Sequence, residues 1–380
     1  MTTQRNSGAK GGGFKARLLA AGCLALLAAC GGAPAVSSQP AKPAKPAPQR
    51  PLFVGFYDAW DQAAVKALPE QLPKLDVFAP LWLTVRGAQG EISIEPDQGV
   101  GALLAGMKRR PEVFPLISNA HDNEWDKAAT DGIILNPKTQ AAFAAQLVDI
   151  ARTHGFSGYV FDFENMSPAA EAAYPAFLAA VRGTLKPAGL EAWTTVSLGA
   201  DQPLGPLAEA ADAVVLMGYD ECWTSSNPGP IAGNDWLERI LAQRLTGVDP
   251  RRVIVALASY GYDWPSGGVA RPVGVPEALD LAARSGAAVT RDSAARNPHF
   301  GYADPQGRRH SVWFLDAQAF AEQRQATQAW RPRGYALWRL GLEDPAIWSL
   351  PHAPRPASGP PPAASTAPLP HPCDPLHSPG

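Results

Sequence analysis

Short apolar runs recur along the chain and are separated by longer amphipathic or polar stretches. Each run is nearly continuous rather than alternating, which is the pattern of parallel strands buried on both faces of a sheet. The runs cover residues 52–57, 75–81, 113–118, 158–163, 192–198, 213–217, 253–259 and 334–337. The pattern therefore predicts eight parallel strands.

Helical periodicity fills several of the intervals between these strands. In 140–153, Phe143, Leu147 and Ile150 fall at positions i, i+4 and i+7 of one helical face, and 175–185 has a similar pattern. Strands that alternate with helices in this way are typical of an α/β fold. We expect a (β/α)8 TIM barrel that covers residues 51–350 as one domain.

The interval between the seventh and eighth predicted strands is too long for a single crossover helix. It runs from about residue 258 to 330 and contains the turn-rich strand pattern NPHFGYADPQGRRHSVWFLD. We therefore predict a small α+β insertion between strands 7 and 8.

The N-terminal 30 residues resemble a secretory signal. A positively charged start is followed by an apolar run at 18–29, which is too short to span a bilayer as a permanent helix. The run ends in Leu-Ala-Ala-Cys-Gly, which resembles the bacterial lipobox and predicts lipidation of Cys30. That resemblance implies a lipid-anchored protein of the cell envelope, in the outer membrane if the host has one. The alternative is an ordinary signal peptide with a chance cysteine.

Two further segments have the composition of unfolded chain. Residues 31–50 are rich in Pro, Ala, Ser and Lys and predict an extended tether. Residues 351–380 are dominated by Pro, Ala, Ser and His, and we expect a disordered tail because they cannot bury enough apolar surface to offset the entropy of ordering.

Charge and cysteine content exclude several classes of function. A net charge of -2 and a pI near 6.4 provide no basic field for nucleic acid. Beyond the signal only Cys222 and Cys373 remain, so neither a structural disulfide nor a multi-cysteine metal site is predicted, and Cys222 is interpreted as a loop residue. The histidines are scattered along the sequence, so we expect no metal site. We also expect no cofactor, and we expect the protein to be a monomer.

Two carboxylates follow the fourth predicted strand. Asp162 and Glu164 are two residues apart, so period-two alternation places both on one side of the strand at the mouth of the barrel, where the chemistry of such barrels occurs. Close carboxylates repel each other when ionised, so one pKa should rise and that group can donate a proton near neutral pH. The alternative is that the two acids cap the next helix or pair with arginine.

Several motifs in order resemble one known family. GYVFDFEN at strand four, Met217-Gly218-Tyr219-Asp220 at strand six and Trp338 in GYALWRLGLEDPAIW are similar to glycoside hydrolase family 18, the chitinase family. Further similar segments are VGFYDAW, FPLISN and YDECWTSSNPGPIAGNDW. The resemblance covers about residues 51–350 and is closest to the modules that adjoin polysaccharide deacetylase and glycosyltransferase domains in bacteria.

The resemblance implies a retaining, substrate-assisted glycosidase acting on a polysaccharide of 2-acetamido sugars. Glu164 would protonate the glycosidic oxygen while the sugar's own N-acetyl carbonyl attacks the anomeric carbon. Asp162 would hold the N-acetyl group, and Tyr219, steered by Asp220, would hydrogen-bond the same group. The residues expected to contact the sugar are Trp338, Tyr57, Trp82, Asn119 and Trp223. His121, after strand three, is a further candidate contact, with a loop turn as the simpler interpretation.

The chain departs from the family pattern at two positions. The pattern D-x-x-D-x-D-x-E has acids where this sequence has Ser157 and Val160. The inner acid supports the aspartate represented by Asp162, so valine there could slow turnover. The alternatives to a hydrolase are therefore a polysaccharide-binding lipoprotein that does not cleave and a scaffold of an envelope export system.

Overall fold

The computed structural model describes residues 50–59, 62–121, 124–199, 202–351 and Cys373. The predicted signal, the lipidated Cys30, nearly all of the tether and the tail other than Cys373 lie outside these residues. In the described part of the chain, no helix is both long and apolar enough to cross a membrane.

Eight parallel strands form a closed barrel. Each strand pairs with the next in sequence, and the first pairs with both the second and the last, which closes the ring. The strands are β1 (Leu52–Tyr57), β2 (Val77–Arg86), β3 (Leu116–Ser118), β4 (Gly158–Asp162), β5 (Glu191–Ser197), β6 (Ala213–Met217), β7 (Val253–Ala258) and β8 (Gly334–Trp338). The predicted (β/α)8 barrel is confirmed.

Helices surround the barrel or belong to the insertion. In chain order they are α1 (Gln62–Gln71), α2 (Gln98–Gly106), α3 (Lys127–Ile134), α4 (Pro137–His154), α5 (Pro168–Leu185), α6 (Leu204–Ala210), α7 (Asn234–Arg244), α8 (Val275–Ser285) and α9 (Ala317–Thr327). The two helices predicted from periodicity correspond to α4 and α5.

Local signals explain where α4 and α5 begin. Asn136 caps α4 by accepting hydrogen bonds from the amides of Lys138 and Thr139. Ser167 caps α5, and Pro168 occupies the first turn, where its missing N–H costs nothing. The helix therefore begins seven residues before the position predicted from the apolar pattern alone.

The strand predicted at 75–81 begins two residues later and extends further than expected. β2 runs on to Arg86 because its second half forms an antiparallel hairpin with Glu91–Ile94. This extension carries polar side chains beyond the mouth of the barrel.

An apolar layer fills the inside of the barrel. Phe114 and Trp193 lie at its centre with ring centroids 4.3 Å apart, and Val160 packs in the same layer with no exposed surface. A second, larger cluster lies between the strands and the helices. Since the interior is packed, a ligand can enter only at an end of the barrel.

The insertion between β7 and β8 is an antiparallel sheet with α8 against it, as predicted. Its strands are Gly261–Pro265, Arg271–Val273, Thr290–Arg291, Pro298–Ala303 and Arg309–Phe314. The buried carboxylate of Asp263 joins four of these strands, since it accepts a hydrogen bond from Tyr302 (2.8 Å), lies 2.7 Å from His310 Nδ1 and has Arg271 3.3 Å away.

Candidate active site

A cleft of about 830 Å³ opens at the carboxyl ends of the barrel strands. Six of the predicted site residues line it: Trp82, Asp162, Glu164, Tyr219, Asp220 and Trp338. The structure thus brings together side chains from four strand ends that are far apart in sequence.

The backbone of Glu164 is fixed by Asn119 from the end of β3. The Asn119 side-chain oxygen accepts from the Glu164 amide, and the Asn119 amide nitrogen donates to the Glu164 carbonyl, both at 3.0 Å. Asn119 is fully buried and does not line the cleft. The amide of Asn119 is thus taken up in positioning Glu164, and the sugar contact at Asn119 stays a prediction.

Glu164 retains its proton to an unusually high pH. Burial, followed by the negative charges of Asp162 and Asp220, raises the pKa of Glu164 to about 7 from its ordinary 4.5. The expectation that one carboxyl pKa rises is confirmed, although burial rather than mutual repulsion is the larger cause. A proton donor with this pKa suits general acid catalysis near neutral pH.

Neither alternative for the two acids is found among the described residues. No arginine forms an ion pair with Asp162 or Glu164, and α5 is capped by Ser167. Both carboxylates instead face the cleft.

Asp162 is buried at the end of β4. Its Oδ1 accepts a hydrogen bond of 2.6 Å from the Thr195 hydroxyl of β5. Burial raises the pKa of Asp162, and this hydrogen bond acts in the opposite direction because it stabilises the ionised form.

Asp220 is held by the insertion rather than by Tyr219. Its backbone is left-handed, with φ of 60°, and its carboxylate accepts hydrogen bonds from the hydroxyls of Tyr260 and Tyr262, the latter at 2.9 Å. No hydrogen bond joins Asp220 to Tyr219 in the described structure, so the steering of Tyr219 by Asp220 stays a prediction. Burial and the nearby carboxylates raise the pKa of Tyr219 well above its usual value, so its hydroxyl remains a donor.

Aromatic rings form the floor of the cleft. Trp338 stacks on Tyr219, with centroids 6.1 Å apart, and also packs against Phe56. Trp82 lines the cleft but is largely buried against Phe78 and Phe156. Trp338 thus offers a ring to the cleft, whereas Trp82 is mainly a wall residue.

Two other predicted sugar contacts lie outside the cleft. Tyr57 is 2% exposed, packs on Phe78 and donates its hydroxyl to Asp97 at 3.2 Å. Trp223 is half-buried in the loop after β6 and donates its indole N–H to Ser225 at 2.8 Å. Tyr57 points into the packing around the barrel and Trp223 belongs to its own loop, so neither lines the cleft and their sugar contacts stay predictions.

Cys222 lies in the loop after β6, as expected, but does not line the cleft. It is fully buried and forms a disulfide with Cys373, 151 residues away. The expectation that no structural disulfide forms is therefore wrong. Sequence spacing could not indicate the pair because the chain must fold around the barrel before the two cysteines meet.

The sequence analysis did not identify every residue that lines the cleft. Thr195, Trp125 and the pair Arg86 and Glu95 line the cleft, and so does His121, the open candidate. The signal for Thr195 is its inward position on β5, whereas Arg86 and Glu95 depend on the unforeseen length of β2. Within the described residues, no three His, Cys, Asp or Glu side chains gather as a metal site.

Comparison with known families covers nearly the whole barrel and not only the separate motifs. The model described as glycosyl hydrolases family 18 matches residues 52–343. The chain belongs to this family. The match includes all six predicted residues that line the cleft, so in this family 18 barrel the cleft is the candidate active site.

Known relatives show how far the similarity extends. The chain is 30% identical over 234 residues to a cortical fragment-lytic enzyme of Bacillus subtilis, which covers 57% of this chain and 54% of that protein. The first curated relatives are thus matched over about half to three-fifths of their own length.

Solved structures of similar proteins share the fold. The spore cortex-lytic enzyme SleL of Bacillus megaterium QM B1551 is 24% identical with a TM-score of 0.72, covering 80% of this chain and 74% of that chain. A chitinase from Chromobacterium violaceum ATCC 12472 is 24% identical with a TM-score of 0.71, covering 79% and 97%. At this identity the likeness concerns the barrel fold alone.

Proposed function

We propose that this protein is a retaining glycoside hydrolase that cleaves a polysaccharide containing N-acetylglucosamine. The observation that carries the proposal is that Glu164, whose pKa burial raises to about 7, faces the same cleft as the buried Asp162 and the stacked Tyr219 and Trp338. Membership of glycosyl hydrolases family 18 supports the reaction class.

The side chains have the chemistry that substrate assistance requires. Glu164 donates its proton to the glycosidic oxygen as the bond breaks, and the acetamido oxygen of the same sugar attacks the anomeric carbon. Asp162 accepts the acetamido N–H and balances the positive charge that develops on the ring so formed. Tyr219 donates its hydroxyl to the acetamido oxygen, which keeps that oxygen in line with the carbon it attacks.

The second half of the reaction returns the enzyme to its starting state. Glu164, now ionised, takes a proton from a water molecule that attacks the anomeric carbon on the face the leaving group has vacated. The acetamido oxygen leaves as the bond to water forms, so the configuration is retained. Trp338 supports the sugar from below during both steps, since a flat ring suits the apolar face of a pyranose.

A glycan of the cell envelope or extracellular matrix is the substrate class that we favour. Relatives of this chain are named as a cortical fragment-lytic enzyme and a chitinase, and these names support a glycan as the substrate. The acetamido group is the one feature that the mechanism demands of any substrate. Peptidoglycan, chitin-like oligomers and a secreted poly-N-acetylglucosamine all contain it.

Replacement of Glu164 by glutamine tests the activity. The purified protein and Glu164→Gln are incubated with N-acetylglucosamine oligomers and with peptidoglycan glycan strands, and products are identified by mass spectrometry. Glu171→Gln, on the exposed surface of α5, is the matched control. We expect cleavage by the wild type and by the control, and binding without cleavage by Glu164→Gln. Equal cleavage by Glu164→Gln would exclude the assigned acid.

A barrel that binds the polysaccharide without cleaving it is the second candidate. It is favoured by Val160, which replaces the family's inner acid with an apolar side chain that has no exposed surface. In that case the wild type and Glu164→Gln bind the oligomers equally and neither releases products.

The location that fits this function is the outside of a membrane, with a lipid at Cys30. The lipobox-like sequence supports it, and the Cys222–Cys373 disulfide is of the kind that oxidising compartments permit. Metabolic labelling with a palmitate analogue followed by membrane fractionation tests it. Cys30→Ser should lose the label and leave the membrane fraction, whereas Cys23→Ser should retain both. A labelled Cys30→Ser protein would refute the lipidation site.

A further inference from the structure

Asp162 depends on one neighbouring side chain. Asp162 is 8% exposed, and in the described structure the Thr195 hydroxyl is the one side-chain group that hydrogen-bonds its carboxylate. At 2.6 Å this O–H···O bond has the length of a charge-assisted hydrogen bond to an ionised carboxylate. The contact therefore both orients Asp162 and favours its ionised form.

The layer beneath Asp162 is apolar, and the indole N–H of its Trp193 donates to Glu191 instead. Val160 lies two residues earlier on the same face of β4, and Trp193 lies two residues before Thr195 on β5. Both belong to the apolar cluster inside the barrel and are buried. The inner acid of the family pattern is thus replaced by hydrocarbon.

Strand register explains why Thr195 is the group that reaches Asp162. β4 and β5 are parallel, with Phe161 opposite Thr194, so the next residues along each strand are adjacent and point inward together. Thr195 is also β-branched, which restricts its χ1 rotation and keeps the hydroxyl in place. Its oxygen lies 3.4 Å from the Phe161 carbonyl, a second acceptor to which the hydroxyl can turn.

We propose that Thr195 is a positioning residue that holds the Asp162 carboxylate toward the reacting acetamido group, in place of the inner acid that Val160 has displaced. The proposal rests on the function proposed above. A hydroxyl suits this role because it donates to ionised Asp162 without adding a second negative charge. The donor comes from the adjacent strand rather than from the layer below, so Asp162 is anchored sideways.

Substitutions of Thr195 separate the hydroxyl from the shape of the side chain. Thr195→Val removes the hydroxyl at nearly constant volume, and Thr195→Ser retains it. We expect Thr195→Val to lower kcat by about 10- to 100-fold with KM changed less than about threefold, because the misplaced group acts in the transition state. Thr195→Ser should restore most of the rate.

The pH profile tests the role in a way that packing damage would not reproduce. Loss of the donor disfavours ionised Asp162, so the acidic limb of the kcat profile should move upward by about one pH unit in Thr195→Val. The serine variant should keep the wild-type limb. A wild-type rate and an unshifted acidic limb in Thr195→Val would overturn the proposal.

A measurement independent of catalysis separates this proposal from the proposed function. The pKa of Asp162 is followed by carbon NMR of labelled aspartate carboxyls in the wild type, Thr195→Val and Thr195→Ser. A higher Asp162 pKa in Thr195→Val, but not in Thr195→Ser, supports the positioning role of Thr195. If the wild type cleaves no substrate, that result refutes the proposed function and leaves the positioning role intact. An unchanged pKa in the valine variant would refute the anchor. If Thr195→Val does not fold by circular dichroism, Thr195→Ala takes its place.

Discussion

Tyr219 and Trp338 lie face to face at the end of the barrel, with ring planes inclined by 16° and centroids 6.1 Å apart. The two residues come from β6 and β8, which are separated by β7 and by the whole insertion. Trp338 also packs against Phe56 of β1, so its ring has two aromatic neighbours that restrict its movement. This arrangement makes the indole a rigid floor that loses little entropy when a sugar is bound.

Replacement of Trp338 should therefore weaken binding more than it disturbs folding. We expect Trp338→Ala to raise the Kd for N-acetylglucosamine oligomers by about 10- to 100-fold, since an aromatic platform of this size contributes about 1.5–3 kcal/mol. Calorimetric titration into the Glu164→Gln background measures the effect without cleavage. Trp338→Phe keeps a smaller ring, so its Kd should lie between those of the protein with Trp338 and of Trp338→Ala. Equal affinity for all three proteins would show that the sugar lies elsewhere.

The insertion contributes directly to the site through two phenols. Tyr260 and Tyr262 both donate to Asp220, and these two hydrogen bonds hold a carboxylate whose pKa burial has raised. We expect Tyr262→Phe to raise the Asp220 pKa further and to lower kcat by about 10- to 100-fold, because one hydrogen bond to a charged group is lost. Initial rates across pH measure both effects.

Tyr302→Phe is the matched control for this prediction. Tyr302 is a phenol of the same insertion sheet, but it donates to Asp263 instead of Asp220. The control should lose stability without losing kcat. If Tyr302→Phe and Tyr262→Phe reduced kcat equally, the effect would come from general damage to the insertion and not from Asp220.

Acid catalysis by Glu164 predicts a particular dependence of rate on pH. With a pKa of about 7, the fraction of Glu164 that carries its proton falls as the pH rises through 7. We therefore expect kcat/KM to decline on the alkaline side with an apparent pKa near 7, as long as no other group titrates in that range. A rate that stays flat to pH 9 would contradict this assignment of the acid.

The same group should make stability depend on pH. The folded pKa of Glu164 lies above its ordinary value of 4.5, so the native state binds more protons than the unfolded state between these values. Stability is then full below about pH 4.5 and falls as the pH rises to about 7, by about 1–3 kcal/mol for this group. Urea unfolding of Glu164→Gln should show a weaker decline than that of the wild type. Parallel curves would mean that Glu164 is already ionised in the fold.

The sequence identified the barrel because its strands are buried on both faces and so appear as continuous apolar runs. It also identified Asp162 and Glu164, since residues that end a barrel strand face the cleft. It did not indicate that Tyr57 and Asn119, which also lie at strand ends, are turned away from the cleft. Their directions depend on packing against Phe78 and on the Glu164 backbone, and no periodicity encodes such contacts.

Thr195 shows the other limit of sequence reasoning. Period-two alternation along β5 indicates that it points inward, yet its value lies in the hydrogen bond to Asp162 on the next strand. That bond requires the register between β4 and β5, which depends on the closure of the whole barrel. The presence of valine at position 160 on β4 therefore does not by itself indicate that Thr195 on β5 contacts Asp162.

The disulfide between Cys222 and Cys373 should stabilise the fold without being needed for catalysis. The loop that contains Cys222 is also held by its own backbone, through hydrogen bonds from Cys222 to Pro230 and from Glu221 to Ile231. Removal of the disulfide should therefore leave Asp220 in place. We expect Cys373→Ser to lower the free energy of unfolding by about 2–4 kcal/mol, with kcat at 25 °C within about twofold of the wild type.

Thermal unfolding with and without reductant checks this prediction. Reduced wild-type protein, with its reduction verified by thiol titration, should have the same melting temperature as Cys373→Ser. Reductant should not change the melting temperature of the variant. If the oxidised and reduced wild type melted at one temperature, the disulfide would carry no stability. If Cys373→Ser lost activity while folded, the disulfide would instead be holding the loop after β6 in its catalytic position. The backbone hydrogen bonds on both sides of Cys222 argue against that outcome, because they join the two ends of the loop without the sulfur atoms.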